Sequence, residues 1–513
     1  MKKSKKFLAV ALAATMAVTA LAGCKKDKNY AEQVDKITIM VDGTLFTLAN
    51  GRDQFEARLE ELMGVEVDII QPDHSGYYDT VSQTFANPDT STWPDVVLLG
   101  STYYATYANS GVLADISDYY ENSELKKSGR IINEGLIDGL YINDGLYGIS
   151  PARGNGCITY VKKAWLDRCG LTAPTTYAEY IAMLDAFMKG DPDGNGVNGD
   201  TPYAVTSAGI VNAEAPYVNY LPEFFQDAYP DFYQKADGTW VDGFTEQAMI
   251  DAINRLTDAY AKGYLDPELV TNGTKDCRNK FFEDKCGVFT YWAGNWANTL
   301  ATNLEAKGLD SELVNLEPIA EVGNYIERQA TVWCVTSACE NPEAVFNLFF
   351  GTMLDGADGQ QLWTYGVEDV HWSTKAETNV INAGLETEKK YVSEEGQFHW
   401  KTNLETGAAL YSKAHIDKLL AITTFADPAK DVGNADVNPR ITASAKVFNE
   451  NSVLAPVITS NDVMEQYQSG IMSLRIQLVS ECVTNGLSVT DAMARYNAEV
   501  GTQVKAILDS LNK

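Results

Sequence analysis

A chain of 513 residues that is 45% apolar and 11% aromatic has enough apolar mass for two or three domains, which excludes a disordered polypeptide. Its 70 acidic residues against 40 basic ones leave a formal charge of −30, a surface that repels nucleic acid and anionic headgroups. Eight cysteines without a C-x-x-C, and only four histidines, exclude a zinc framework and favour buried thiols over a disulfide scaffold, although Cys277–Cys286 or Cys334–Cys339 bridges stay open.

In chain order, Lys2, Lys3, Lys5 and Lys6 precede an apolar run from Phe7 to Ala20 that closes in Leu21-Ala22-Gly23-Cys24. The run is shorter than the ~20 residues of a membrane span and reads as a secretory leader, residues 1–23. Leu-Ala-Gly-Cys resembles the lipobox of bacterial lipoproteins, which implies a diacylglyceryl group on Cys24. The mature chain is then expected outside the cell membrane, anchored to its outer face, with 24–35 as a polar tether.

Past the tether, Lys36 to Val41 alternates as a strand and Asp53 to Met63 has helical spacing. Val65 to Ile70, Tyr77 to Ala86 and Val96 to Leu99 continue as strand, helix and strand, the rhythm of an α/β lobe. Gly156 to Val161 reads as a strand, and Lys163 to Cys169 and Tyr177 to Lys189 as helices, the latter ended by Gly190 in a left-handed cap. Thr245 to Lys262 is helical and Gly287 to Tyr291 a strand. Beyond Trp400 the pattern is mostly helical and ends in Val489 to Leu511.

Asp191-Pro192-Asp193-Gly194-Asn195-Gly196-Val197 is the sharpest local motif. Asp191, Asp193, Asn195 and the Val197 carbonyl match the opening of an EF-hand-like loop, and a structural Ca2+ is expected there. Gly199 and Pro202 stand where later ligands belong. A metal-free Asp/Asn/Gly turn is the alternative. The chain carries no G-x-S-x-G, H-E-x-x-H or P-loop motif.

Several segments, in order, resemble family 1 extracellular solute-binding lipoproteins of bacterial ABC importers, in the oligosaccharide-binding subgroup. They are Trp93-Pro94-Asp95-Val96-Val97, Gly111 to Ser117, Gly145 to Ser150, Ala164 to Leu171 with Pro174 to Tyr177, and Tyr365 to Trp372. Val161 after Tyr160, and Asp369, depart from the family pattern. The resemblance implies an α/β, two-lobe periplasmic-binding-protein-like fold of type II, with an interlobe cleft, a multi-segment hinge and a helical C-terminal part. It places 36–154 plus about 330–375 in lobe 1, and 155–329 plus about 376–513 in lobe 2. It also implies Asp200 as the ligand closing the Asp191 loop.

An oligosaccharide would be captured in the cleft and passed by a monomer to the transmembrane subunits of an ABC permease, without catalysis. Sugars stack C–H faces on aromatic rings and need fixed polar partners. Trp292, Trp296, Trp372, Tyr103 and Tyr104 are the candidate rings, and Glu368 and Arg153 the candidate polar contacts. Trp165, Trp333 and Trp363 are expected in cores. A surface-anchored carbohydrate-active enzyme, or a peptide-binding or adhesin lipoprotein, is the alternative.

Overall fold

A computed structural model describes residues 29–43, 50–142, 144–210, 220–381, 389–401, 410, 416–433, 438–455 and 461–512. The leader and Cys24 lie outside them. Of the expected tether, Tyr30–Glu32 forms a 3-10 turn, and Ala31 and Val34 pack on the first core, so this end of it belongs to the fold.

Alternation builds the first lobe. In β1 (Lys36–Met40) Ile37 and Ile39 are buried, and α1 (Arg52–Met63) buries Phe55, Leu59 and Met63 at four-residue spacing. β2 (Glu66–Ile70) alternates again, and α2 (Tyr77–Ala86) buries Tyr77, Val81 and Phe85. β3 (Val96–Leu99) is buried at every position, as expected of an inner parallel strand covered on both faces. β1 pairs in parallel with both, Lys36 opposite Glu66 and Ile39 opposite Val96. α3 (Ser101–Asn109) follows, and β4 (Gly148–Ile149) leads the chain to Pro151.

The second lobe opens on β5 (Cys157–Lys162), buried throughout. α4 (Lys163–Arg168) buries Trp165, and α5 (Tyr177–Lys189) starts in a capping box of Thr176 and Glu179. The helix stops at Gly190, but the expected left-handed cap is absent. Gly190 is extended (φ −85°, ψ −163°), and a Cβ there would lie 2.9 Å from the Ala186 carbonyl oxygen and 3.4 Å from the Cys169 sulfur, so close approach excludes a side chain.

β6 (Val205–Thr206), the hairpin β7 (Phe232–Gln234) and β8 (Trp240–Asp242), α6 (Gln247–Ala261) and α7 (Thr274–Phe282) come next. β9 (Val288–Trp292), α8 (Asn295–Ala306) and β10 (Leu313–Asn315) complete a four-stranded sheet of order β10-β5-β9-β6. β9 runs antiparallel to β5, with Val288 opposite Val161 and Trp292 opposite Cys157.

The chain then returns through β11 (Tyr325–Glu327) to β12 (Val332–Val335). β12 enters the first sheet antiparallel to β3, Val332 opposite Leu99, giving the order β2-β1-β3-β12-β4. α9 (Pro342–Met353) and α10 (Asp358–Tyr365) cover that sheet, with Trp333 and Trp363 fully buried. α11 (Pro439–Asn451) leads into β13 (Ser452–Leu454), which pairs in parallel with β11. α12 (Asp462–Asn485) and α13 (Val489–Leu511) seal the second core.

One stretch touches more than the lobe expected. Ile416 and Ile422 belong to the first core and the Ile422 N–H donates to the Pro151 carbonyl, while Leu420 clusters with Ile158 and Phe448, so 416–422 packs on both lobes rather than on lobe 2 alone. Loops and two-residue strands such as Trp372–Ser373 and His399–Trp400 carry no period that a sequence reading could follow.

Where the chain crosses between lobes the backbones nearly touch. A Cβ on Gly154 would sit 1.6 Å from the Arg328 carbonyl oxygen, and one on Gly156 2.3 Å from that of Ile326. Glu327, buried here, accepts from Gly154 N at 2.9 Å and from Arg153 Nε at 2.7 Å. Arg153, expected to meet ligand, is therefore committed to an ion pair within the hinge.

In the second core Arg475 of α12 is fully buried between Asp231 (2.6 Å) and Asp242 (2.8 Å), with Tyr496 donating to Asp242 at 2.9 Å. All seven described cysteines are free; Cys169 is half-buried and the other six are buried. No described helix is long and apolar enough to cross a membrane.

Candidate functional site

Two registers fix which sheet edge of each lobe meets the hinge. Val332 opposite Leu99 sets the carboxyl end of β3 where the chain enters lobe 1 from the hinge. Trp292 opposite Cys157 sets the carboxyl end of β9 beside the point where the other crossing enters lobe 2. Open α/β sheets bind ligands at carboxyl strand ends, so the cleft candidates follow from topology.

On the second lobe the rim is aromatic and basic. Tyr291 is buried and meets the half-buried Trp296 edge-on at 4.6 Å, and Tyr220 stacks on Tyr291 at 6.1 Å. The guanidinium of Arg278, on α7, lies 5.0 Å from the Trp296 ring centre and 5.4 Å from that of Tyr291, and donates to the Tyr291 hydroxyl. Arg328, just past β11, is exposed, with its guanidinium 4.7 Å from the ring centre of half-buried Trp292.

The turn from β9 to α8 is held by Gly294, whose φ of 78° suits glycine and whose N–H donates to Ser444 Oγ at 3.0 Å. Asn155 Nδ2 donates to the Ala293 carbonyl at 3.3 Å and ties the turn to the hinge.

On the first lobe Tyr103 is half-buried and stacks on Tyr78 at 4.0 Å with the rings 5° apart. Gly100 N donates to the Tyr78 hydroxyl, and Asp42 pairs with exposed His74 at 2.6 Å just past β1.

Three predicted contacts do not join these rims. Tyr104 is fully buried and donates to the Leu140 carbonyl at 2.6 Å, because it lies on the inner face of α3. Trp372 is 3% exposed and donates to the Gly366 carbonyl at 3.1 Å, so it is a core ring. Arg153 is held by Glu327. Glu368 is exposed on the turn before Trp372, whose neighbours Val370 and His371 pack on Gly51 ahead of α1.

Of the residues named from sequence, Trp292, Trp296 and Tyr103 lie on these rims; Arg278, Arg328, Tyr220 and Tyr78, which lie beside them, were not named. Trp292 and Trp296 announce themselves as a ring cluster after an apolar strand. The arginines stand 14 and 36 residues from Trp292 with no local pattern, and only the tertiary fold brings them there.

The Asp191 loop gathers acids around an amide. Asn195 Nδ2 donates at 2.8 Å both to Asp193 and to Asp200, Gly196 N donates to Asp191 at 2.9 Å, and Val197 N donates to Asn195 Oδ1 at 2.8 Å. Burial, together with Asp191 and Asp200 nearby, raises the Asp193 pKa. Among the described residues no three acidic, His or Cys side chains close up into a metal-holding set, so the loop is folded around its own amide.

Comparison with known proteins completes the picture. Residues 53–364 match the family model described as bacterial extracellular solute-binding protein, well over half of the chain. The chain belongs to that family. Lipoprotein LipO of Bacillus subtilis is 22% identical over 319 residues, 61% of each chain. The fructooligosaccharide ABC transporter substrate-binding protein FusA of Streptococcus pneumoniae is 24% identical over 139 residues, 27% of this chain and 25% of FusA. The match therefore spans about three fifths of one curated relative and a quarter of the other. In fold, the sugar-binding protein MalE of Xanthomonas citri aligns over 93% of this chain and 99% of its own, at 13% identity and a TM-score of 0.61. The molecule has their two-lobe, periplasmic-binding-protein-like fold.

Proposed function

We propose that this chain is the substrate-binding lipoprotein of a bacterial ABC importer. It captures an oligosaccharide between its lobes and delivers it to the permease's transmembrane subunits. The observation that carries the reading is the ring cluster of Tyr291, Trp292 and Trp296 at the hinge edge of lobe 2, together with Tyr78 and Tyr103 stacked just past the carboxyl ends of β2 and β3 in lobe 1. Sugar C–H faces stack on such rings, and a ligand touching both rims favours the closed state by its differential contacts. MalE is a sugar-binding protein and FusA carries fructooligosaccharides, which supports a sugar as cargo. Cys24 is the lipid attachment point in this reading, and holds a monomer on the outer face of the membrane.

The Asp191 loop would hold a structural Ca2+ through Asp191, Asp193, Asn195, the Val197 carbonyl and Asp200. Asp191 Oδ1 is buried without a hydrogen-bond partner, and turning the Asn195 amide would replace two N–H donors by one more oxygen ligand. A solved FusA structure is of an EF-hand mutant, which supports a calcium loop in this fold.

The test is a thermal-shift screen of the leader-free chain against oligosaccharides, with and without calcium. A ligand at 100 times its Kd stabilises by ~2.7 kcal/mol and raises Tm. Binding without product on chromatography is expected; cleavage of the bound sugar would replace the receptor by an enzyme. Calcium is expected to raise Tm by itself, and D193N to abolish that rise.

A further inference from the structure

Resting on the receptor reading above, we infer that the cargo is acidic: an oligosaccharide carrying a carboxylate or sulfate that Arg328 and Arg278 bind at the hinge end of the cleft. Among the described residues these two guanidinium groups stand apart in a chain rich in acids. Arg52, Arg58, Arg153, Arg168, Arg255, Arg440, Arg475 and Arg495 all lie within ion-pair distance of an Asp or Glu. Arg130 spends its donors on the carbonyls of Thr424 and Leu354. Among the described residues, Arg278 and Arg328 alone have neither a carboxylate nor a backbone carbonyl as side-chain partner, and both lie on the aromatic rim.

Two further observations place Arg328 where a ligand would meet it. It is exposed to solvent, yet the surrounding protein lowers its pKa by desolvation, and its electrostatic neighbours Cys157 and Tyr220 include no carboxylate. Its backbone is fixed as well, since Arg328 N donates to the Asn155 carbonyl and its own carbonyl lies against Gly154. The guanidinium stacks on Trp292, which leaves its in-plane N–H donors free to fork onto two anionic oxygens. Arg278 gives one donor to the Tyr291 hydroxyl and keeps the others.

An uncompensated cation held in a desolvated cleft costs free energy that an anionic ligand returns on binding. A neutral sugar would leave both cations unmatched. The rings supply sugar stacking, and the arginines then select for charge.

The experiment is calorimetric titration of the leader-free chain with trigalacturonate and its methyl ester, and with 3′-sulfolactose and lactose. Hydrogen bonds to a charged group are worth ~1.5–3 kcal/mol, so at least one acidic probe should bind ~10-fold or more tighter than its neutral partner. Whichever acid binds tells carboxylate from sulfate. Arg328→Gln should remove that advantage while changing affinity for the neutral partner less than about threefold. Arg328→Lys should recover part of it, having the charge without the planar fork. The acid-versus-neutral comparison on the unaltered chain stands even where a variant fails to fold. Equal binding of acid and neutral forms, or neutral binding alone, overturns the acidic class and leaves the receptor intact. No binding by any of the four probes overturns the acidic class, and if the wider sugar screen is flat as well, the receptor reading falls with it.

Discussion

Glu223 shows how far a single side chain can be displaced from its behaviour in water. It is 3% exposed in the second lobe, near Tyr180, Tyr325 and Thr159, and its Oε1 has no hydrogen-bond partner. Burial raises its pKa from 4.5 to about 7. Unfolding lets the carboxyl ionise at its ordinary value, so the unfolded state holds fewer protons than the folded one between those two values. Stability from this group is complete below about pH 4.5 and is lost as pH rises through about 7, a fall of roughly 3 kcal/mol. E223Q should flatten the decline in Tm between pH 5 and 8 and be the more stable protein at pH 8. A parallel decline in both proteins would sink the assignment. At the hinge, G154A should cost at least the ~1–3 kcal/mol of an overpacked site and lower Tm accordingly, since its methyl has no room beside the Arg328 carbonyl.

Among the elements, Arg475 joins parts of the second lobe that are distant in sequence. It ties α12 to both ends of the β7–β8 hairpin through Asp231 and Asp242, while Phe232 stacks on its guanidinium at 4.6 Å. R475M would strand two buried carboxylates, and urea unfolding should show a loss of ~3–5 kcal/mol. An unchanged midpoint would mean that water reaches the acids. Most elements were legible before the structure because their periods are strong. Ile37 and Ile39 alternate, and Phe55, Leu59 and Met63 fall on one helical face. Gly190 was legible as an end but not as a conformation, since what crowds a side chain there is the Ala186 carbonyl oxygen 2.9 Å away, a close approach set by the extended path the chain takes out of the helix. Residues 416–422 were not legible at all, because a loop that docks by single side chains has no period.

Over the whole molecule, the site divides along the same line. Rings in one turn, Trp292 and Trp296, can be read from the chain. Arg278 and Arg328 become neighbours of those rings only through the β5–β9 register and the hinge crossing. Tyr104 and Trp372 misled because an aromatic in the right segment still has two faces to choose from, and here both turn inward.

The free thiols have a consequence of another kind. Burial pushes the pKa values of Cys157, Cys286 and Cys334 up, so in the native chain they are neutral, sealed and slow to react. With no cross-link among the described residues, the fold owes nothing to an oxidase, and reductant should leave its Tm where it was. The same thiols make a clock: a maleimide pulse should mark Cys169 at once and the other described cysteines only when the chain opens. Mass spectrometry of the labelled chains would then time each lobe's opening separately, with Cys334 and Cys339 reporting the first and Cys482 the second.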